Sequence, residues 1–193
     1  GQMSGDAAGL NRKRMKWRLE PDLQLEQLKN LRVVLLGSGT LGCNLARVLV
    51  GYGVRNITFV DNGRVSLSNI VRQSLFTVND ISSTGEGKFK AEAAREGLLA
   101  IAPYLNVAAE VMKIPMPGHF ATNEALVDEK AALDRLKRLI RENDVVFNVV
   151  DSREARYFPT LIASAYNRRS ISVGIGYDSY VVVAHGFKNA EFL

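Results

Sequence analysis

The chain has 193 residues, 47% of them apolar and 23% charged, with one cysteine and a formal net charge of +5. This length suits one substantial core and argues for a single domain; no apolar run nears the roughly 20 residues of a membrane-spanning helix, and no signal segment opens the chain. Cys43 alone can build neither an intramolecular disulfide nor a cysteine zinc site, so a cytoplasmic protein without membrane insertion is expected.

Gly1-Gln2 reads as a cloning remnant, and residues 1–22 as a flexible basic arm whose charge lies in Arg12-Lys13-Arg14, Lys16 and Arg18 around Met15 and Trp17. Such a run is a solvated arm, a donor of an arginine to a phosphate site, or a nucleic-acid or localisation patch. No recognition helix, stacking sheet or repeat supports the last, and nucleic acid is not expected as a partner. Pro21-Asp22 then starts a short helix through Leu23, Leu25 and Leu28. The pattern continues as strand 31–36, helix 40–51, strand 56–60, an irregular polar loop, helix 88–101 and strand 105–112. Helix 122–142, strand 144–150, helix 154–167 and strands 170–175 and 179–184 complete it. Runs such as Val33-Val34-Leu35-Leu36 and Val145-Val146-Phe147 lack polar alternation, which implies a sheet covered on both faces. The expected fold is α/β: doubly wound, Rossmann-like and mainly parallel. Residues 81–87 read as a mobile loop, and 114–119, with two prolines, as a second irregular connection. His119 and His185 have no partner at metal-ligand spacing and read as hydrogen-bonded loop histidines.

Gly37-Ser38-Gly39-Thr40-Leu41-Gly42 follows the first strand, and the second ends at Asp61, nineteen residues past Gly42. The glycines permit a tight turn and bring backbone N–H groups to a phosphate at a helix N-terminus, while the acid lies where a ribose hydroxyl is gripped. Taken alone, this is the pattern of a nicotinamide dehydrogenase. Asp61-Asn62, Ser68-Asn69 and Arg72-Gln73 add amide, hydroxyl and guanidinium groups within thirteen positions, which suits a triphosphate better. Asp151-Ser152-Arg153-Glu154, after strand 144–150, should join the same crevice at the carboxyl ends of the strands. Asp151 is there either a helix cap or, with Glu154 nearby, a metal ligand. Arg72 and Lys90 are either exposed charges or cations flanking that crevice.

The strings LLGSGTLGCNLAR, ITFVDNGRVSLSNIVRQSL, IPMPGH, VVDSREARYFP and GYDSYVVVAHG resemble the enzymes that adenylate ubiquitin and ubiquitin-like proteins, together with their bacterial sulfur-carrier relatives. The likeness is closest to the branch that serves autophagy and runs from about Lys16 to Gly186. It implies ATP and Mg2+ as cofactors. It also implies a phosphate-binding loop containing Gly37, Gly39, Thr40, Leu41 and Gly42, and a ribose site at Asp61 beside Asn62. Asn69, Arg72, Gln73 and Lys90 would surround the phosphates, and Asp151 would hold the metal. Lys90 is preferred to Lys88 because it occupies the KAE position. The catalytic set implied is Arg72, Lys90 and Asp151, since attack by a carboxylate on the α-phosphate needs charge neutralisation and alignment rather than a protein nucleophile. The implied partners are ubiquitin-like modifiers of autophagy, conjugating enzymes bound through regions absent here, and a second copy in a homodimer.

Two departures stand out: Ser38 replaces a small residue of the glycine loop, and the loop over 82–87 is long. The family's thioester cysteine lies downstream of the GYDSYVVVAHG region, whereas Cys43 falls among Leu41, Leu45 and Val48 as a core residue. Residues 23–193 are therefore expected to be an adenylation domain truncated before that cysteine. A bacterial-type sulfur-carrier adenylyltransferase, a nicotinamide dehydrogenase and a noncatalytic scaffold are the alternatives.

Overall fold

The computed structural model of the chain describes residues 2–117 and 123–186. Helix α1 (Gln2–Leu19) and the short α2 (Leu25–Asn30) precede β1 (Arg32–Leu36), α3 (Thr40–Tyr52) and β2 (Asn56–Val60). A polar segment then carries α4 (Leu67–Ile70) and a 3-10 turn (Val78–Asp80) before α5 (Lys90–Ile101) and β3 (Asn106–Glu110). The described residues continue with α6 (Asn123–Glu142), β4 (Val145–Asn148), α7 (Glu154–Ala165), β5 (Arg169–Ile175) and β6 (Tyr180–His185). No helix among the described residues is long and apolar enough to cross a membrane.

The six strands form one sheet in the order β3-β2-β1-β4-β5-β6. Five are parallel, and β6 alone runs antiparallel, against β5. The connection at 176–179 is too short for a crossover, so the chain must turn back; Gly176 N–H donates to the Ser179 carbonyl at 2.7 Å to close the turn. Alternation along β1 fills both cores. Val33 and Leu35 join Cys43 and Ala46 of α3 and Ala94 and Leu98 of α5, while Val34 and Leu36 join Leu136 and Ile140 of α6 and Ile162 of α7. The four apolar β1 side chains are fully buried, as expected for a strand covered on both faces. Strand order reverses between β1 and β4, whose ends align at Leu36 and Asn148, and a crevice opens beyond their carboxyl ends.

Three segments depart from the sequence reading. The N-terminal arm is helical, and it rests on the molecule: a Cβ on Gly5 would lie 3.2 Å from the Tyr104 ring, and one on Gly53 would lie 3.2 Å from Arg12 Nε. Alanine, leucine, arginine and lysine favour helix, and Lys16 and Arg18 in the last turn suit its negative end. The polar segment after Asp61 is ordered by two capping boxes, Ser66 with Asn69 and Thr77 with Asp80. The expected loop at 81–87 is a turn closed by a bridge between Ile81 and Gly87. The expected last strand is present as β6, at a sheet edge with Val181, Val182 and Val183 exposed.

Candidate functional site

At the switch point lies a cavity of about 530 Å³ walled by the segments after β1, β2, β3 and β4 and by the end of β5. The first wall is the glycine loop. Gly37 has φ +110°, a conformation that side chains rarely adopt, and a Cβ there would meet the Val149 carbonyl at 3.0 Å. Gly42 does a different job: a Cβ would lie 2.1 Å from the Gly37 carbonyl oxygen, so its absence lets α3 sit directly on the loop. Gly39, the N-cap of α3, offers no capping side chain, which leaves the N–H groups of the first turn pointing at the cavity.

The second wall comes from the end of β2. One Asp61 carboxylate oxygen accepts the Ser38 N–H at 2.8 Å and the other accepts the Gly63 N–H at 2.7 Å. The acid thus ties the two loops together, and its remaining lone pairs face the cavity beside Asn62. Gln73 is buried against the cavity, with its side-chain oxygen lacking a partner among the described residues. Arg72 Nη1 donates to Thr40 Oγ1 at 2.6 Å, which holds a guanidinium over the start of α3. Lys90, at the first position of α5, lies against Gly63 and makes no ion pair among the described residues. Lys88, by contrast, is engaged by Glu96 at 2.7 Å and Asp80 at 3.4 Å, which raise its pKa and hold it away from the cavity.

On the β4 side, Asp151 reaches the cavity exposed and without a hydrogen bond among the described residues. It does not cap α7: the N-cap is Arg153, and the Ala155 N–H donates to Ser152 Oγ at 3.4 Å. Glu154, its expected companion, starts α7 and does not line the cavity. No group of three histidine, cysteine, aspartate or glutamate residues gathers among the described residues.

Of the twelve residues expected at the site, ten line this one cavity and two stand behind it. Gly42 is a packing contact. Asn69 is buried, its Oδ1 accepting the Ser66 N–H at 3.1 Å, and its backbone carbonyl accepts the N–H groups of Arg72 and Gln73. Asn69 therefore shapes the segment that presents both. The sequence reading did not single out Lys113, Arg156 or the apolar stretch of Met112, Ile114 and Met116, all of which line the cavity. Four cations, Arg72, Lys90, Lys113 and Arg156, face two carboxylates there, a balance that favours an anionic ligand.

Cys43 is fully buried behind the glycine loop, its Sγ–H directed at the Ser38 carbonyl at 3.3 Å. Burial pushes its thiol pKa up to about 12. His185 sits on β6 rather than in a loop, with Nε2 2.8 Å from Ser172 Oγ. His119 lies outside the described residues.

The sequence profile of the ThiF family matches residues 10–192. The chain is 45% identical over 188 residues to the ubiquitin-like modifier-activating enzyme atg7 of Dictyostelium discoideum, covering 97% of this chain and 26% of that protein. It is 46% identical over 191 residues to ATG7 of Candida albicans, covering 98% of this chain and 30% of that protein. Less than a third of either relative is therefore spanned. Among solved structures, PaaA superposes with a TM-score of 0.60 at 24% identity, over 79% of this chain and 40% of that one. E. coli MccB with succinimide superposes with a TM-score of 0.59 at 23% identity, over 78% and 39%. At such identities the last two speak for the fold alone. The profile, by contrast, takes in the arm's second half, the glycine loop and every wall of the cavity, and on that match the chain belongs to the ThiF family.

Proposed function

We propose that this chain is the nucleotide-binding core of a ubiquitin-like modifier-activating enzyme of autophagy, which uses ATP and Mg2+ to adenylate the C-terminal glycine of its modifier. The observation that carries the reading is Arg72 bonded to Thr40 over the uncapped start of α3, with Lys90 across the cavity. A dinucleotide's pyrophosphate carries less charge than a triphosphate, so two further cations converging there suit the triphosphate better. Gln73, buried at the cavity wall with an oxygen that has no partner among the described residues, adds a polar group suited to a ligand.

The residues fit the triphosphate in order. N–H groups of the α3 first turn, Arg72 and Lys90 take the phosphates, Asp61 takes the ribose, and Met112, Ile114 and Met116 provide an apolar wall for a base. Of the two carboxylates lining the cavity among the described residues, Asp151, with no hydrogen bond to hold it, is the better suited to magnesium, which is held by one or two carboxylates together with phosphate oxygens and, when bound, would neutralise phosphate charge. The modifier's terminal carboxylate attacks the α-phosphorus in line, the bond to the bridging oxygen breaks, and pyrophosphate leaves with the charge that Arg72 and Lys90 offset. No protein nucleophile is required, because the attacking group is the modifier's own carboxylate.

The names of the curated relatives support the autophagy modifiers as substrates over a sulfur carrier, which would undergo the same chemistry. Conjugating enzymes engaged through other parts of a longer protein, a homodimer and a cytoplasmic setting belong to the same proposal. Calorimetric titration tests its core: ATP with magnesium should bind and NAD should not, and addition of the modifier should release pyrophosphate. Equal or tighter binding of NAD would overturn it.

A further inference from the structure

The turn that carries Asp151 is held from behind by a residue outside the expected set. Arg156, on the first turn of α7, points back toward the sheet and donates from Nε and Nη2 to the Val150 carbonyl at 3.1 and 2.6 Å. That carbonyl belongs to the peptide bond joining Val150 to Asp151. The neighbouring Val149 N–H donates to the Leu36 carbonyl at 3.0 Å, and Gly37 packs on the Val149 carbonyl from the other side. Asp151 itself has no hydrogen bond among the described residues, so its aim into the cavity depends on this backbone alone. Gly174 of β5 makes room for the clamp: a Cβ there would lie 3.2 Å from both Nη1 and Nη2 of Arg156, and 3.1 Å from Val181 Cγ1 of β6. Both residues also border the cavity.

We propose that Arg156, seated on Gly174, is a positioning residue that fixes the Val150–Asp151 turn and so sets the site's affinity for magnesium. The inference rests on the reading of Asp151 as the metal-bearing acid. A planar fork with two donors on one carbonyl fixes direction as well as distance, which a lysine ammonium does not. Residues that orient a metal ligand without touching the metal typically contribute on the order of ten- to hundredfold in metal affinity.

The test is calorimetric titration of ATP across a magnesium series, and again with a chelator, for the wild type, Arg156→Ala, Arg156→Lys and Gly174→Ala, with thermal unfolding of each protein alone. Arg156→Ala should need about tenfold or more magnesium for half-maximal ATP binding, a loss well beyond the smaller fall in metal-free ATP affinity that removing one cavity cation brings. Arg156→Lys should recover only part of the loss. Gly174→Ala keeps the arginine but crowds its guanidinium, and should raise the magnesium requirement in the same direction by less than Arg156→Ala. If Arg156→Ala does not fold, the lysine and Gly174 variants decide by the same criterion. An unaltered magnesium requirement in the folded variants, or an equal loss with and without metal, would refute the role of Arg156 and leave the proposed function standing. A wild type whose ATP binding ignores magnesium would instead sink the reading of Asp151, and this inference with it.

Discussion

Asp61 and Asp151 enter the same cavity but are held in opposite ways. Both Asp61 oxygens accept backbone N–H groups, whereas Asp151 accepts none among the described residues. Replacing Asp61 by alanine should therefore lower stability, since a buried donor left unpaired costs about 1–3 kcal/mol, and should weaken nucleotide binding as well. Asp151→Ala should leave the melting midpoint unchanged while ATP binding in magnesium falls by roughly ten- to hundredfold, the range of a charge-assisted contact. A variant that melts early but binds normally would return Asp151 to a structural role. Cys43 carries the opposite expectation. With its thiol pKa near 12, almost no thiolate exists at pH 8, so iodoacetamide should label it only when the chain unfolds. No ATP-dependent thioester should form on it; a reducible conjugate lost in Cys43→Ser would contradict its placement.

At the scale of elements, the site depends on contacts that never touch a ligand. Gly42→Ala would drive a Cβ to 2.1 Å from a backbone carbonyl, a clash with no flexible side chain to yield, so α3 would lift from the loop. Loss at or beyond the upper end of the about 1–3 kcal/mol typical of overpacked cores is expected, together with loss of ATP binding. At the opposite end of the sheet, Asp144 joins the starts of β4 and β1, accepting the Arg32 N–H at 2.9 Å and its guanidinium at 3.0 Å, with Arg168 nearby. Partial burial alone would raise its pKa; the hydrogen bonds and charge of Arg32, with Arg168, outweigh that and hold it below the ordinary 3.8. A depressed carboxyl adds stability above its unfolded value and forfeits it as pH falls through the folded value. Urea midpoints of the wild type should thus drop between pH 5 and pH 2 more than those of Asp144→Asn, with a small difference because the pair is partly exposed.

For the molecule as a whole, what could be read from the chain was what depends on local order. The apolar run of β1, the glycines after it and the acid ending β2 place one half of the crevice, because a βαβ unit leaves few ways to connect them. Asn69 shows where that reading stops: an amide three residues after Ser66 serves a capping box as well as a phosphate, and only the fold shows it turned inward. Arg156 was hidden for a related reason. In sequence it is one more charge on a helix, and its partners at Val150 and Gly174 are assembled only when β4 and β5 pair. The N-terminal arm misled through its charge, since helix propensity and the docking of Gly5 on Tyr104 leave no mark on a charge count.

The antiparallel β6 also has a bearing on how the protein behaves in solution. Its outer side offers a row of backbone donors and acceptors flanked by Val181, Val182 and Val183, with no charged residue along the strand to discourage pairing. Light scattering of this 193-residue chain should therefore rise with concentration at moderate salt, and Val182→Lys should suppress that rise without altering nucleotide affinity. If so, the solubility of the preparation is governed by a strand remote from the phosphates, and the two properties can be tuned separately.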